Sequence, residues 1–205
     1  MRMGLHPSLA FACAIDFLFR IRPQTLEPYT AELATLSDPD TLKIGIQIRV
    51  GDKVFTTGED SSTVEVYRAF FDCAAQIEAS RRRSADQKVV YYLISDSTRL
   101  RRLAAEAFGA KLLTSVDGVV KHTRKKRSAD PAEVLKAFRA AVAEMWLFSL
   151  CDYHTTTLRS GFGRTGAFMS GRYHHYFPID MDHPAQAVNR SCGSLDYLPT
   201  HDWNM

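Results

Sequence analysis

The stretch Lys43–Phe55, KIGIQIRVGDKVF, decides how the chain is read. Its first half reads as a buried strand, with β-branched Ile44, Ile46, Ile48 and Val50 at every second position. Where that strand should end, Gln47, Arg49, Asp52 and Lys53 gather hydrogen-bonding and charged groups around Gly51. In an open parallel sheet, ligands sit beyond the carboxyl ends of the strands, where such a polar end would face. Strand alternation puts Gln47 and Arg49 on one side. Arg49 offers a planar fork matched to phosphate oxygens, and Lys53 adds a second positive charge. The plainer alternative is an Arg49–Asp52 ion pair that caps the strand, and this stretch alone does not separate the two.

Working outward, β-rich runs alternate with helical ones. KVVYYLIS is a second strand, AKLLTS a third, DYHTTT a fourth and HHYFPI a fifth. Between them, TVEVYRAFFDCAAQIEASRRR carries Val66, Phe70, Cys73 and Ile77 at helical spacing. TRLRRLAAEAF is a helix capped by Asp96 and Ser97, with Gly109 suited to its C-terminal end. SADPAEVLKAFRAAVAEMWLFSL offers a stripe of Leu135, Phe138, Val142, Met145 and Trp146. Ahead of the first strand, HPSLAFACAIDFLFR reads as an amphipathic helix through Leu9, Cys13, Phe17 and Arg20, and a short helix follows around Tyr29–Leu36. This alternation predicts a doubly wound α/β domain on a parallel sheet over residues 41–180. Residues 1–40 form an N-terminal helical segment and linker, and 181–205 an irregular C-terminal extension.

Two more strand ends carry chemistry. In LISDS, Asp96 and Ser97 suit a helix N-cap, and the same groups could contact a ribose or a base edge. In RSGFGRTGAF, Ser160, Gly161, Gly163 and Gly166 straddle a strand-to-helix turn, which aims backbone N–H groups and a helix dipole at an anion. Arg164 sits in the first turn, where the dipole disfavours a cation. It implies a counter-charge, either Asp152 or a bound phosphate. Taken with Arg49, this turn points to a diphosphate site.

Composition narrows the classes. The 205 residues are 45% hydrophobic and 24% charged with a formal charge of +3, an ordinary globular balance well short of a nucleic-acid-coating protein. The run KHTRKKR at 121–127 lies in a long loop, and a solvated surface is favoured there over RNA, an acidic partner or phosphates. Arg81–Arg83 suit a solvated helix end. No transmembrane span is present, since SLAFACAIDFLF is short and interrupted by Asp16, and the segment makes a poor signal peptide. Cys13, Cys73, Cys151 and Cys192 show no CxxC spacing. Disulfides in a secretory compartment and buried free thiols are both open for them. His174, His175, His183 and His201 show no HExxH-type spacing, so no metal is assigned. Asn189-Arg190-Ser191 is a glycosylation sequon.

Together, IGIQIRVGD, YYLISDS and LFSLCDYHTTTLRSGFGRTGAF resemble the donor-binding half of GDP-fucose-dependent fucosyltransferases, closest to the plant and algal xyloglucan-fucosyltransferase-like group. The opening HPSLAFACAIDFLFRIRP resembles the helix and linker that lead into that half. The resemblance implies a Rossmann-like three-layer domain with a parallel sheet, the C-terminal half of a GT-B glycosyltransferase. It implies GDP-fucose as donor substrate and no metal or other cofactor. Carried over by motif, Arg49 is the catalytic residue, binding the diphosphate and stabilising the leaving group. Gln47 lies beside the donor, Lys53 adds charge and Asp96 lies near the nucleoside. Asp152 contacts guanine or orders the loop, and Ser160, Gly161, Phe162, Gly163 and Arg164 form the phosphate-binding turn. No general base is identified; Glu59 and Asp60 match loosely. Partners implied are a glycan or glycoprotein acceptor and an N-terminal acceptor domain that this chain lacks, with no nucleic acid. The implied setting is the Golgi lumen. A non-catalytic GDP-sugar-binding remnant and a nucleic-acid-associated Rossmann domain are the alternatives.

Overall fold

A computed structural model describes residues 7–51, 59–115, 130–182 and Cys192. Its centre is a sheet of five parallel strands in the order β3-β2-β1-β4-β5. They are β1 (Leu42–Ile48), β2 (Val89–Ser95), β3 (Leu112–Leu113), β4 (Tyr153–Thr157) and β5 (Tyr176–Ile179). The stretch KIGIQIRV supplies the central strand, which is buried from Leu42 to Ile48. It pairs with β2 from Leu42↔Val89 to Ile48↔Ser95, and with β4 from Ile44↔Tyr153 to Gln47↔Thr156. The helices are α1 (Pro7–Leu18), α2 (Pro23–Leu26), α3 (Thr30–Ser37), α4 (Arg68–Arg81), α5 (Thr98–Phe108), α6 (Pro131–Ser149) and α7 (Gly161–Met169).

Alternation divides the sheet between two cores. Ile44, Ile46, Ile48, Tyr91 and Leu93 pack against Phe70, Ala74 and Ile77 of α4 and Leu100 and Ala104 of α5. On the other face, Val90, Tyr92 and Ile94 pack with Leu36 of α3, Leu147 and Phe148 of α6, and Ala167 of α7. The result is the expected Rossmann-like, three-layer α/β arrangement. Phe148 fills the gap between β1 and α7. A Cβ at Gly45 would lie 2.6 Å from its ring, and one at Gly166 2.9 Å. Both positions therefore exclude a side chain.

The helical faces differ from expectation. On α6, Leu135 and Phe138 are exposed, while Ala143, Leu147 and Phe148 are buried. Among the described residues nothing covers Leu135 and Phe138, so the stripe read from sequence is open there. On α1, Leu9 and Phe17 are exposed, and the contact runs through Phe11, whose ring meets Phe168 at 6.4 Å. Val66 precedes α4 and is exposed, whereas Phe70, Cys73 and Ile77 are buried as read. Only Ser97 caps α5, its hydroxyl oxygen accepting from the Leu100 N–H at 2.9 Å. Asp96 turns elsewhere. Of the cysteines, Cys73 and Cys192 form a disulfide, while Cys13 and Cys151 are free. Among the described residues no helix is long and apolar enough to cross a membrane.

One core residue makes the fold acid-sensitive. His154 is completely buried beside the Phe148 ring, and its Nε2–H donates to the Phe148 carbonyl at 2.9 Å. Burial lowers its pKa from 6.5 to about 3. Between those values the unfolded chain binds a proton here and the folded chain does not. Stability is therefore complete above about pH 6.5 and falls as the pH drops through that window. The slope approaches about 1.4 kcal/mol per pH unit. Urea midpoints at pH 7 and pH 5 should fall more steeply for the wild type than for His154→Gln; equal slopes would contradict this assignment.

Candidate functional site

The order of the strands selects one end of the sheet. From β1 the chain winds outward through β2 and β3, then returns to lay β4 on the other side of β1. The winding reverses between β1 and β4, and the crevice beyond the carboxyl ends of those strands is where doubly wound sheets bind ligands. Arg49 and Ser160 follow these two strands.

The chain leaving β1 is tied down on both sides. The Arg49 N–H donates to Thr157 Oγ1 at 2.9 Å, fastening it to β4. Asp96, at the end of β2, accepts from the Val50 and Gly51 N–H groups at 2.7 and 3.2 Å. The same carboxylate meets Arg49 Nη1 at 2.9 Å. Asp96 therefore anchors the arginine turn. Its side chain is 7% exposed, against 40% for Arg49. The ion pair weighed for Arg49 exists, but with Asp96. Lys53 and Asp52 lie outside the described residues, as does the 121–127 run.

The second wall is the start of α7. Ser160 is the N-cap, its Oγ accepting from the Gly163 N–H at 3.3 Å. A serine hydroxyl keeps one donor when its oxygen serves as a cap, so Ser160 retains a proton to offer. The N–H groups of Gly161 and Phe162 are among the donors that a helix start leaves without an intrahelical acceptor. A Cβ at Gly161 would meet nothing within 4 Å, so this side of the turn is open. Phe162 is 38% exposed.

Gln47 links the two walls from beneath. It is 4% exposed, and its Oε1 has no hydrogen-bond partner. A Cβ at Gly163 would lie 2.3 Å from that oxygen, so Gly163 is small because Gln47 fills its space. Its register partner Thr156 is fully buried and its Oγ1 is also without a partner. Gln47 thus forms the floor of the crevice and is not an exposed donor contact.

Asp152 stands apart. It precedes β4, so it lies at the amino end of the sheet, opposite the crevice. Its Oδ2 accepts from the Lys43 N–H at 3.0 Å, and Oδ1 lies 3.7 Å from Arg172 Nη2. It therefore neither neutralises Arg164 nor joins Arg49 in one site. Arg164 has no acidic partner among the described residues. Asp60 is tied to its neighbours by hydrogen bonds. Burial pushes its carboxyl up, but hydrogen bonds from Ser97, at 2.6 Å, and from Ser62 outweigh this and hold it below the usual carboxylate range. Among the described residues no cluster of three His, Cys, Asp or Glu is placed to hold a metal ion.

Two site residues escaped the sequence reading. Thr157 was legible only as strand, yet its hydroxyl holds the arginine turn. Arg159 has φ of 64°, a left-handed conformation that no motif announces. A separate cavity of about 680 Å³ opens between α4, β2 and the end of α5. Its central Glu78 already accepts from the Tyr91 hydroxyl and pairs with Lys111.

Fold and crevice define a Rossmann-like α/β domain whose strand-order reversal brings Arg49, Asp96 and the capped start of α7 to one end of the sheet. No family model and no curated protein matches the sequence. Among solved structures, the chain is similar to NodZ α-1,6-fucosyltransferase soaked with GDP-fucose, at 17% identity and a TM-score of 0.48, over 80% of this chain and 47% of that one. It is also similar to the same enzyme co-crystallised with GDP, at 13% identity and a TM-score of 0.47, over 78% and 45%. The chain thus spans about half the length of the structures it matches.

Proposed function

We propose that this chain is a donor-binding domain that holds the diphosphate of a nucleotide sugar, GDP-fucose, for fucosyl transfer to a glycan or protein acceptor. The observation that carries this reading is the meeting of Arg49 and the capped start of α7 at the carboxyl ends of β1 and β4, fastened together by the Arg49–Thr157 hydrogen bond. Departure of GDP from the sugar builds negative charge on the β-phosphate. Fixed donors aimed at that charge stabilise the transition state. Arg49 supplies a charged fork, Gly161 and Phe162 supply backbone N–H groups, and Ser160 supplies a hydroxyl. In the metal-independent reaction that the family resemblance implies, these groups carry that task. Asp96 fixes the arginine in advance, so less freedom is lost on binding.

Acceptor recognition and the general base would come from a further domain, as in the two-domain architecture the resemblance implies. A Golgi-lumen setting is supported by the Cys73–Cys192 disulfide, because such bonds persist in oxidising compartments.

The test is calorimetric titration of GDP into wild type and Arg49→Ala. Charged hydrogen bonds contribute about 1.5–3 kcal/mol, so the variant should bind about ten- to a hundredfold more weakly. Equal affinities would remove Arg49 from the phosphate site.

A further inference from the structure

We infer that Arg159 is a second cationic arm of the crevice, which closes on the diphosphate beside Arg49; this rests on the donor-binding reading above. The inference begins with the backbone. The Ser160 N–H donates to the Thr157 carbonyl at 3.0 Å, closing the turn Thr157-Leu158-Arg159-Ser160. Arg159 occupies its third position with φ of 64°. Glycine or asparagine takes such a position at little cost, and a long side chain does not.

Both flanks hold the turn, so the arginine cannot relax. On one side the Leu158 N–H donates to the Ile179 carbonyl at 2.8 Å. On the other, Ser160 caps α7 and Gly163 is seated over Gln47. The charge is also poorly placed for the protein alone. Arg159 stands one residue before the N-cap, at the positive end of the helix dipole, and Arg164 lies in the first turn. Neither has an acidic partner among the described residues, and the nearby Asp96 is engaged with Arg49 and its turn.

The turn also sits where the other donors of the site converge: Arg159 is exposed, two residues after Thr157, whose hydroxyl accepts from the Arg49 N–H at 2.9 Å, and one residue before Ser160, the cap of α7. A dianionic diphosphate at this point would offset the repulsion between the arginines and the dipole. It would also give the exposed Arg159 guanidinium the bidentate partner its geometry suits.

The test exploits the strain. Arg159→Gly removes the guanidinium and relieves the left-handed backbone. Its melting temperature should rise, while its affinity for GDP and for inorganic pyrophosphate falls about tenfold or more. Affinity for guanosine should not change. Arg159→Gln, which keeps the backbone demand, should lose the same affinity without the gain in stability, and Arg159→Lys should recover part of it. A GDP affinity within about twofold of wild type in both neutral variants would overturn the inference. If Arg49→Ala weakens GDP binding and the Arg159 variants do not, Arg159 alone is excluded. If the wild type binds no GDP, the donor-binding reading and this inference fall together.

Discussion

Replacing Arg101 by leucine is expected to destabilise the fold by about 3–5 kcal/mol. Arg101 lies in the first turns of α5, 2% exposed, and reaches Glu144 of α6 through both terminal nitrogens, with Nη2 to Oε2 at 2.9 Å. Its Nε donates to the Ser95 carbonyl at 2.7 Å and Nη1 to the Ser115 carbonyl at 3.1 Å. One guanidinium therefore joins helices from the two outer layers to the end of β2. Removing it leaves the Glu144 carboxylate buried without a counter-charge, which is the costly event. Replacing both partners with apolar residues should recover a large part of the loss, because the desolvation of both charges disappears together. The two carbonyls would still lack their donor, so recovery would be incomplete. Urea denaturation of Arg101→Leu and of the Arg101→Leu/Glu144→Leu pair measures both effects. A single variant as stable as wild type would contradict this role.

Cys73→Ser is expected to cost about 2–5 kcal/mol. The disulfide joins α4 to Cys192 across a sequence separation of 119, a long loop whose closure restricts the unfolded chain strongly. Both cysteines are buried, and the Cys192 N–H donates to Gln76 Oε1 at 3.2 Å. The bond thereby pins Cys192 to the helix that backs β1. Thiol titration of the denatured, unreduced protein should count two free groups, those of Cys13 and Cys151. Four would contradict the pairing.

Much of the fold was legible because a parallel strand covered on both faces leaves a continuous apolar run, as in KVVYYLIS, and because KIGIQIRV repeats isoleucine at every second position. Helix faces were harder. α6 carries apolar residues around much of its circumference, and periodicity cannot say which stripe meets the sheet or where the sheet ends. Gly45 and Gly166 carry the missing information, since together they make room for Phe148, but that pairing exists only in three dimensions. Within the site, Arg49 and the SGFGR turn were legible because charge at a strand end and small residues at a helix start are local signals. Asp96 was visible as a polar residue after β2, yet its use as an anchor depends on the turn after β1 folding back over it. Asp152 held a clue that went unused. A residue that precedes a parallel strand lies at the amino end of the sheet, away from residues that follow their strands.

The most direct test of the crevice is a GDP titration followed by backbone amide chemical shifts. The expected result is a set of saturating shifts confined to Arg49, Val50 and Gly51 after β1 and to Ser160 through Arg164 at the start of α7. Shifts centred on Lys43, Asp152 and Arg172 at the opposite end of the sheet, or on the Glu78–Lys111 cavity, would contradict the assignment, as would no saturable shifts at all.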